Sequence, residues 1–500
     1  MQKRHRLLWL TALAAVAAGA LLCLLTGRTA AHALTIALAA GHLAGTVHLA
    51  DACLPNGYGR RVRLASGAIF TAAFGLLLGF CLWHFRAEQT IFINDDALYY
   101  YQQLALSEPL NAGLEATLEH FIHSLSTDYT VLPNLLLAPL FSLTDRTADG
   151  FGLAAALMAW LPLMIQLRRV TLHLAQRLHL TERRTLLLCA GTCIAVMTLP
   201  LLHRAALWRQ VNLLGLPLLI QVIFLSLGMD FRRREPGRWA ALFLSAVLLA
   251  LMRRWFLFFL AGWLPLWGLI SAIGLIRNRD WRALARLAAR GAVCIALGIL
   301  LLWPVLSRAL AGNYAESYAY WRKDSGGLGY ELKNQLWLLG PGTCALIAIG
   351  YGWGLLQRRS RMLRRLSALL PGCAAIGVVL FTRIQNMTYH QVTFLMPCYV
   401  LGLMLLFSLL LTLPRRACIS LTALLCAALI GQWGVSVTHE RPQAVSPALC
   451  HVSLKPPVRS DLAAISAVSD YIAVSCTKEA PALILMNSGD YDRLTFVTPA

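Results

Sequence analysis

Charge is scarce in this sequence. Asp, Glu, Lys and Arg make up 13% of its 500 residues, against about 25% in soluble domains. That weighs against a water-soluble enzyme, and a hydrophobic content of 58% excludes intrinsic disorder. Negative charge is the scarcer sign, with 23 acids against 44 Lys and Arg and a formal net charge of +21. There is no CxxC pair and no His-rich tract, so a zinc site has no starting point. Most of the 13 cysteines fall inside apolar runs, where Cys serves as a small apolar residue. No internal repeat is visible and no acid lies deep in an apolar run, although transporters and flippases usually show such features.

Long apolar runs are abundant. A membrane-crossing helix needs about 20 mainly apolar residues. Such runs occur near 7–26, 30–50, 64–84, 148–167, 185–202, 212–228, 256–276, 291–306, 336–356, 366–381, 392–413 and 417–437. A shorter run, 239–251, lies between Arg238 and Arg253–Arg254. Counting it gives about thirteen crossings. The expected fold is an all-α polytopic membrane protein, a bundle of about 11–13 transmembrane helices. Residues 1–26 compete as a signal peptide. Their apolar stretch is long for one, and a second span follows at once, which favours an uncleaved first helix.

Orientation follows from the basic residues of the short loops. With Lys3, Arg4 and Arg6 inside, alternate loops hold 27 of the 44 Lys and Arg and only five of the 23 acids. The alternation holds at every turn only if 239–251 crosses. The basicity is therefore a sign of topology and gives no reason to expect a nucleic-acid partner. The chain divides into an N-terminal pair of spans with its basic loop (1–63), a main transmembrane module (64–437) and an extracytoplasmic segment (438–500).

Seven of the outward acids fall in one loop, 86–131. Asp95–Leu106 has helical composition, with Asp95 and Tyr99 one turn apart. Two adjacent carboxylates just outside a span suit general-base work or cation binding. Asn94, Asp95 and Asp96 would equally serve as a helix cap. A second helix carries Leu114, Leu118, Phe121, Ile122 and Leu125 on one face and should lie flat on the outer leaflet. Its other side offers Glu115, Glu119, His120 and His123, which could join the acidic pair in holding a divalent cation or simply be solvated. Asp128, Tyr129 and Pro133 then lead into an apolar half-span, Leu132–Leu143, with a polar kink at Thr144–Gly150. This reads as a helix that enters the membrane, breaks and resumes.

At these residues the chain resembles the GT-C superfamily of integral-membrane glycosyltransferases. The branch in question holds the protein O-mannosyltransferases and aminoarabinose transferases. Asp95-Asp96-Ala97-Leu98-Tyr99 matches that superfamily's outer-loop acidic pair, and Asp128-Tyr129 with Pro133 matches its re-entry. Two spans before the span that precedes the loop, and Leu132-Pro133-Asn134 in place of a double Pro, depart from the pattern. The resemblance implies inverting sugar transfer from a polyprenyl-phosphate donor to an extracytoplasmic glycan, lipid or protein, with Asp95 as general base and Asp96 as its partner. It implies that Arg253 and Arg254, with Arg204 and Arg383, meet the lipid phosphate. Tyr99, Asp128, Tyr129 and His390 would then contact substrate. The partners are the lipid-linked donor, the acceptor and membrane lipids. No cofactor is implied with certainty, and a divalent cation, with His120 and His123 as possible ligands, stays open. The compartment implied is a bacterial inner or plasma membrane.

Arg209, beside Arg204, could face the same cavity. The second long outer loop, 307–335, offers Tyr314, Tyr318, Tyr320, Trp321, Tyr330, Glu316 and Asp324 as sugar contacts or as an interfacial belt. The alternatives are a transporter or flippase, or an O-antigen ligase or polymerase working through Arg and His. In the C-terminal segment Asp461–Val474 reads as helix, and Ala482–Met486 and Leu494–Val497 as strands, giving a small α/β unit. Cys450 and Cys476 could pair in an oxidising compartment.

Overall fold

The computed structural model describes residues 29–53, 57–90, 94–127, 129–312, 327–357 and 360–475. In chain order the helices are α1 (Ala30–Cys53), α2 (Arg60–Ala87), α3 (Asn94–Ala105), α4 (Ser107–Ala112), α5 (Leu114–Ser124), α6 (Leu132–Phe141), α7 (Ala148–Arg177), α8 (Glu182–Thr198) and α9 (Pro200–Leu207). They continue with α10 (Gly215–Leu227), α11 (Pro236–Met252), α12 (Phe256–Arg277), α13 (Trp281–Ala311), α14 (Gly327–Leu339) and α15 (Pro341–Leu356). The last are α16 (Arg361–Thr382), α17 (Met396–Leu410), α18 (Arg415–Thr438) and α19 (Leu462–Ser475). Short 3₁₀ turns, Val211–Leu214 and Gln391–Leu395, precede α10 and α17.

Among the described residues eight helices are long and apolar enough to cross a membrane, or up to 10 if each of two bent pairs is one span. The chain is thus built as an all-helical, multi-pass membrane protein. Eight of the expected apolar runs fall on these helices, 185–202 and 336–356 fall on the two bent pairs, and 212–228 and 239–251 fall on helices too short to be counted, which leaves fewer spans than the expected 11–13; the run 7–26 lies outside the described residues. Among the described residues no strand forms, and the two expected C-terminal strands lie outside them. The expected helix there is α19.

Proline shapes the departures. Pro200 separates α8 from α9, which bend by 56°, and Gly340-Pro341 turns α14 by 97° from α15. Proline supplies no N–H to continue the preceding helix, and Gly340 takes φ +84°, open to a residue without Cβ. The run at 336–356 is therefore only partly a straight span. The expected break after the short apolar helix is present: α6 is a ten-residue helix buried along most of its length, residues 142–147 form a turn, and the chain resumes as the 30-residue α7. Thr147 caps α7 by accepting from Gly150 N at 3.2 Å, which ends the preceding turn there.

Two ends of the bundle differ in kind. At one end Thr185 donates to Tyr58, Arg184 to the Leu413 carbonyl, Arg232 pairs with Asp280 at 2.7 Å and Arg286 reaches the Phe231 carbonyl. The arginine-rich loops are thus gathered together. At the other end Thr130 donates to the Leu251 carbonyl, Asn212 to the His390 carbonyl and Asn334 to the Met387 carbonyl. The helix α11 runs from the first end to the second in 17 residues, about 26 Å at 1.5 Å per residue. A hydrocarbon core is about 30 Å thick, and α11 falls short of it.

The helix α5 turns its apolar side outward: Leu114, Leu118 and Ile122 are exposed, while Thr117 and Ser124 are buried. Such an inverted helix suits a lipid-facing position.

Candidate functional site

Arg253 ends α11 and is 6% exposed. Its guanidinium lies 3.8 Å from the Tyr129 ring, 4.1 Å from that of Trp255 and 5.2 Å from that of Tyr99. Cation–π attraction of this kind strengthens where water is excluded. The Tyr99 and Tyr129 rings meet edge to face at 5.6 Å, and Trp255 packs on His390 at 5.1 Å. Four residues singled out from the sequence, Tyr99, Tyr129, Arg253 and His390, come together although they lie in four separate stretches of chain.

Amides that the sequence reading passed over hold these groups in place. Asn134 of α6 donates to the Tyr99 carbonyl at 2.9 Å, and Tyr99 Oη donates to Asn212 Oδ1 at 3.4 Å. Asn212 also reaches Gln210 and the His390 carbonyl. Asn134 and Asn212 are fully buried. An amide in an otherwise apolar run is the signal that could have found them. The indole N–H of Trp255 is buried with no acceptor among the described residues, and Asn134 Oδ1 is buried with no donor among them.

Asp95 and Asp96 stand in the first turn of α3, one turn before Tyr99 and Tyr100, at the same end of the bundle. Asp128 lies outside the described residues. Arg204 of α9 stacks at 4.0 Å on Trp208, which meets Tyr389 at 5.6 Å. Tyr389 neighbours His390 in sequence, so Arg204 borders the cluster. Arg254 is half-buried after Arg253, and Arg383 is exposed at the end of α16. His123 is exposed, and among the described residues no group of three metal-capable side chains forms. In the loop 307–335, residues 313–326 lie outside the described residues, and Tyr330 is 40% exposed.

Arg209 does not face the cavity expected for it. It is 1% exposed, pairs with Glu88 and with Asp149 at 2.7 Å, and donates to the Ala148 carbonyl at 3.0 Å. This ionic cluster ties the end of α2 to the start of α7. Burial pushes the Glu88 carboxyl up, but the hydrogen bond with His84 and the charge and hydrogen bond of Arg209 outweigh it, leaving it below the usual carboxylate range.

A second buried carboxylate escaped the sequence reading. Glu331 of α14 is fully buried and accepts from Gln335 at 2.6 Å, Asn334 at 3.2 Å and Met387 N at 2.8 Å. Burial raises its pKa, and these neutral donors only partly oppose the rise. It fastens α14 to the loop that leads to Tyr389 and His390.

The stretch 439–459, in which the sequence offered no chemistry, is a strap across this end. His451 N donates to the Trp337 carbonyl, Leu454 N to the Ser436 carbonyl, and Gln89 N to the Pro457 carbonyl. Arg204 donates to the Ser453 carbonyl at 2.8 Å, so the strap helps to position that cation. Cys450 is buried beside Ser436 Oγ at 3.3 Å, and Cys476 lies outside the described residues.

Comparison with protein-family models and with curated proteins finds no match to this sequence.

Proposed function

We propose that this chain is a membrane glycosyltransferase of GT-C type, moving a sugar from a polyprenyl-phosphate donor to an extracytoplasmic glycan, lipid or protein. The observation that supports the reading is the meeting of Tyr99, Tyr129, Trp255 and His390 around the recessed Arg253, one helical turn along α3 from Asp95. In this reading the acceptor hydroxyl attacks the anomeric carbon and gives its proton to Asp95. The bond from that carbon to the phosphate oxygen breaks with inversion, and polyprenyl phosphate leaves. A phosphate leaving group is already a weak base, so it needs positive charge more than a proton donor. Arg253 supplies that charge from a site where little water screens it, and the Trp255 N–H is a further donor. Arg204, Arg254 and Arg383 are the remaining candidates for the donor phosphate. The site faces the extracytoplasmic side of a bacterial inner or plasma membrane, with the N-terminus in the cytoplasm.

The test is sugar transfer from a synthetic polyprenyl-phosphate donor by purified protein. Asp95→Asn is expected to abolish turnover with expression and unfolding temperature unchanged. Arg253→Ala is expected to lower kcat/KM by about 10²-fold or more. Full activity of Asp95→Asn would sink the proposal.

A further inference from the structure

Helices α12 and α16 pack antiparallel. Gly262 of α12 lies against Cys373, whereas Gly274, toward the other end of α12, lies against Arg361 and Arg365 in the first turns of α16. A Cβ on Gly274 would stand 3.3 Å from Arg361 Nη2 and 3.6 Å from Arg365 Nη2. Two guanidinium groups therefore meet over one glycine at the arginine-rich end. This is the opposite end from the Arg253 cluster, and the pair is independent of the glycosyltransferase reading.

No acid answers their charge. The sequence holds no Asp or Glu between Glu331 and Glu440. Between α12 and α13 the one acid is Asp280, which accepts from Arg232 at 2.7 Å and from Ala283 N at 3.2 Å. Neither the Arg361 nor the Arg365 guanidinium makes an ion pair or hydrogen bond among the described residues. Like charges one turn apart on a helix oppose one another, and the C-terminus of α12 offers them only about half an elementary negative charge. Arginines that merely snorkel spread their heads into water. These two converge instead, with Arg365 half-buried and Arg361 exposed. An anion between the heads relieves their repulsion. Guanidinium groups suit phosphate oxygens in particular, since their paired N–H donors match them bidentately.

The surroundings decide between a soluble and a membrane anion. Leu269, Ile273 and Ile276 of α12 are 58%, 45% and 46% exposed, and their spacing sets them in one stripe along the helix. Ile273 directly precedes Gly274, so the stripe passes beside the two heads and runs on into the span. A phosphate held over Gly274 has hydrocarbon surface leading away from it. Basic sites between transmembrane helices suit anionic head groups for this reason.

We propose that Arg361 and Arg365, meeting over Gly274 between α12 and α16, bind the phosphate head group of an anionic membrane lipid whose acyl chains lie along Leu269 and Ile273. Each guanidinium near such a charge is worth about fivefold in affinity.

The experiment is native mass spectrometry of the full chain in detergent, titrated with phosphatidylglycerol, with phosphatidylcholine, and with sn-glycerol 3-phosphate as a soluble probe. Phosphatidylglycerol is expected to bind about fivefold or more tightly than phosphatidylcholine. Arg361→Gln should weaken it about fivefold. Arg416→Gln removes an equal charge from the first turn of α18, at the same end of the bundle but away from Gly274, and should leave binding unchanged. Both positions are exposed, so both variants should fold. Equal losses in the two variants would show a diffuse surface field and overturn the site. No loss in Arg361→Gln would overturn it as well. Displacement of the lipid by equimolar glycerol phosphate would show a soluble ligand and overturn the lipid assignment.

Discussion

Two buried carboxylates at one end of the bundle differ in what surrounds them, and the difference sets opposite responses to pH. Glu88 sits against the Arg209 guanidinium, while Glu331 is held by two amides and a backbone N–H. The Glu88 pKa is lowered, so its stabilisation is present above the ordinary value of 4.5 and is lost as pH falls through its folded value. The Glu331 pKa is raised, so its contribution is fullest below 4.5 and is lost as pH rises through its folded value. Thermal unfolding in detergent from acid to neutral pH checks this. The stability advantage of wild type over Glu88→Gln should shrink toward acid, and that over Glu331→Gln should shrink toward neutral pH. Parallel curves for either pair would refute the assignment for that residue. Removing the cation instead, in Arg209→Ala, strands Glu88 in a buried place, and such losses cost about 3–5 kcal/mol. Neither carboxylate was legible as special in the sequence. Its tertiary neighbours come from 121 positions away for Glu88 and 56 for Glu331, and no local pattern carries that information.

At the scale of elements, hydropathy alone located the helices, because a run long and apolar enough to cross a membrane must satisfy its own backbone. It could not report direction. Residues 336–356 read as one span, yet Gly340-Pro341 turns the chain through 97° and makes α14 and α15 two elements. Nor could it report how closely helices approach. In α15 and α17, Gly350 and Gly402 stand so near that a Cβ on Gly350 would lie 2.1 Å from the Gly402 carbonyl oxygen. Backbone cannot swing aside as a side chain can, so these small residues let two apolar helices pack where water offers no driving force. Gly350→Ala is expected to destabilise by about 1–3 kcal/mol, as overpacking does. A Cβ on Gly352, in the same helix, would meet nothing within 4 Å. Gly352→Ala should be neutral or slightly stabilising through helix propensity. Unfolding midpoints of the two variants, measured side by side, check the contrast, and equal shifts would remove the packing explanation.

For the whole molecule, the sequence's charge asymmetry and the three-dimensional arrangement are independent observations that agree. Alternate loops were grouped by their arginines, and the structure gathers those same loops at one end through contacts such as Arg232 with Asp280 and Arg184 with the Leu413 carbonyl. The short α11 is what makes the alternation close. Its 17 residues connect the end holding Arg238 to the end holding Arg253, so the loops after it fall on their expected ends. The candidate site was legible to the same extent. Tyr99, Tyr129, Arg253 and His390 were named through the resemblance, whereas Asn134 and Asn212 hold them through contacts that exist only once the bundle has closed. We propose that the arginine-rich end faces the cytoplasm, on the bias of basic residues toward that side. It can be read directly in intact cells with a membrane-impermeant maleimide. Ser126 and Arg234 are exposed at opposite ends of the bundle. Ser126→Cys should label from outside above the wild-type background, and Arg234→Cys only after the membrane is permeabilised. The reverse result would place Arg253 and Asp95 in the cytoplasm. An enzyme acting on extracytoplasmic acceptors would then be untenable.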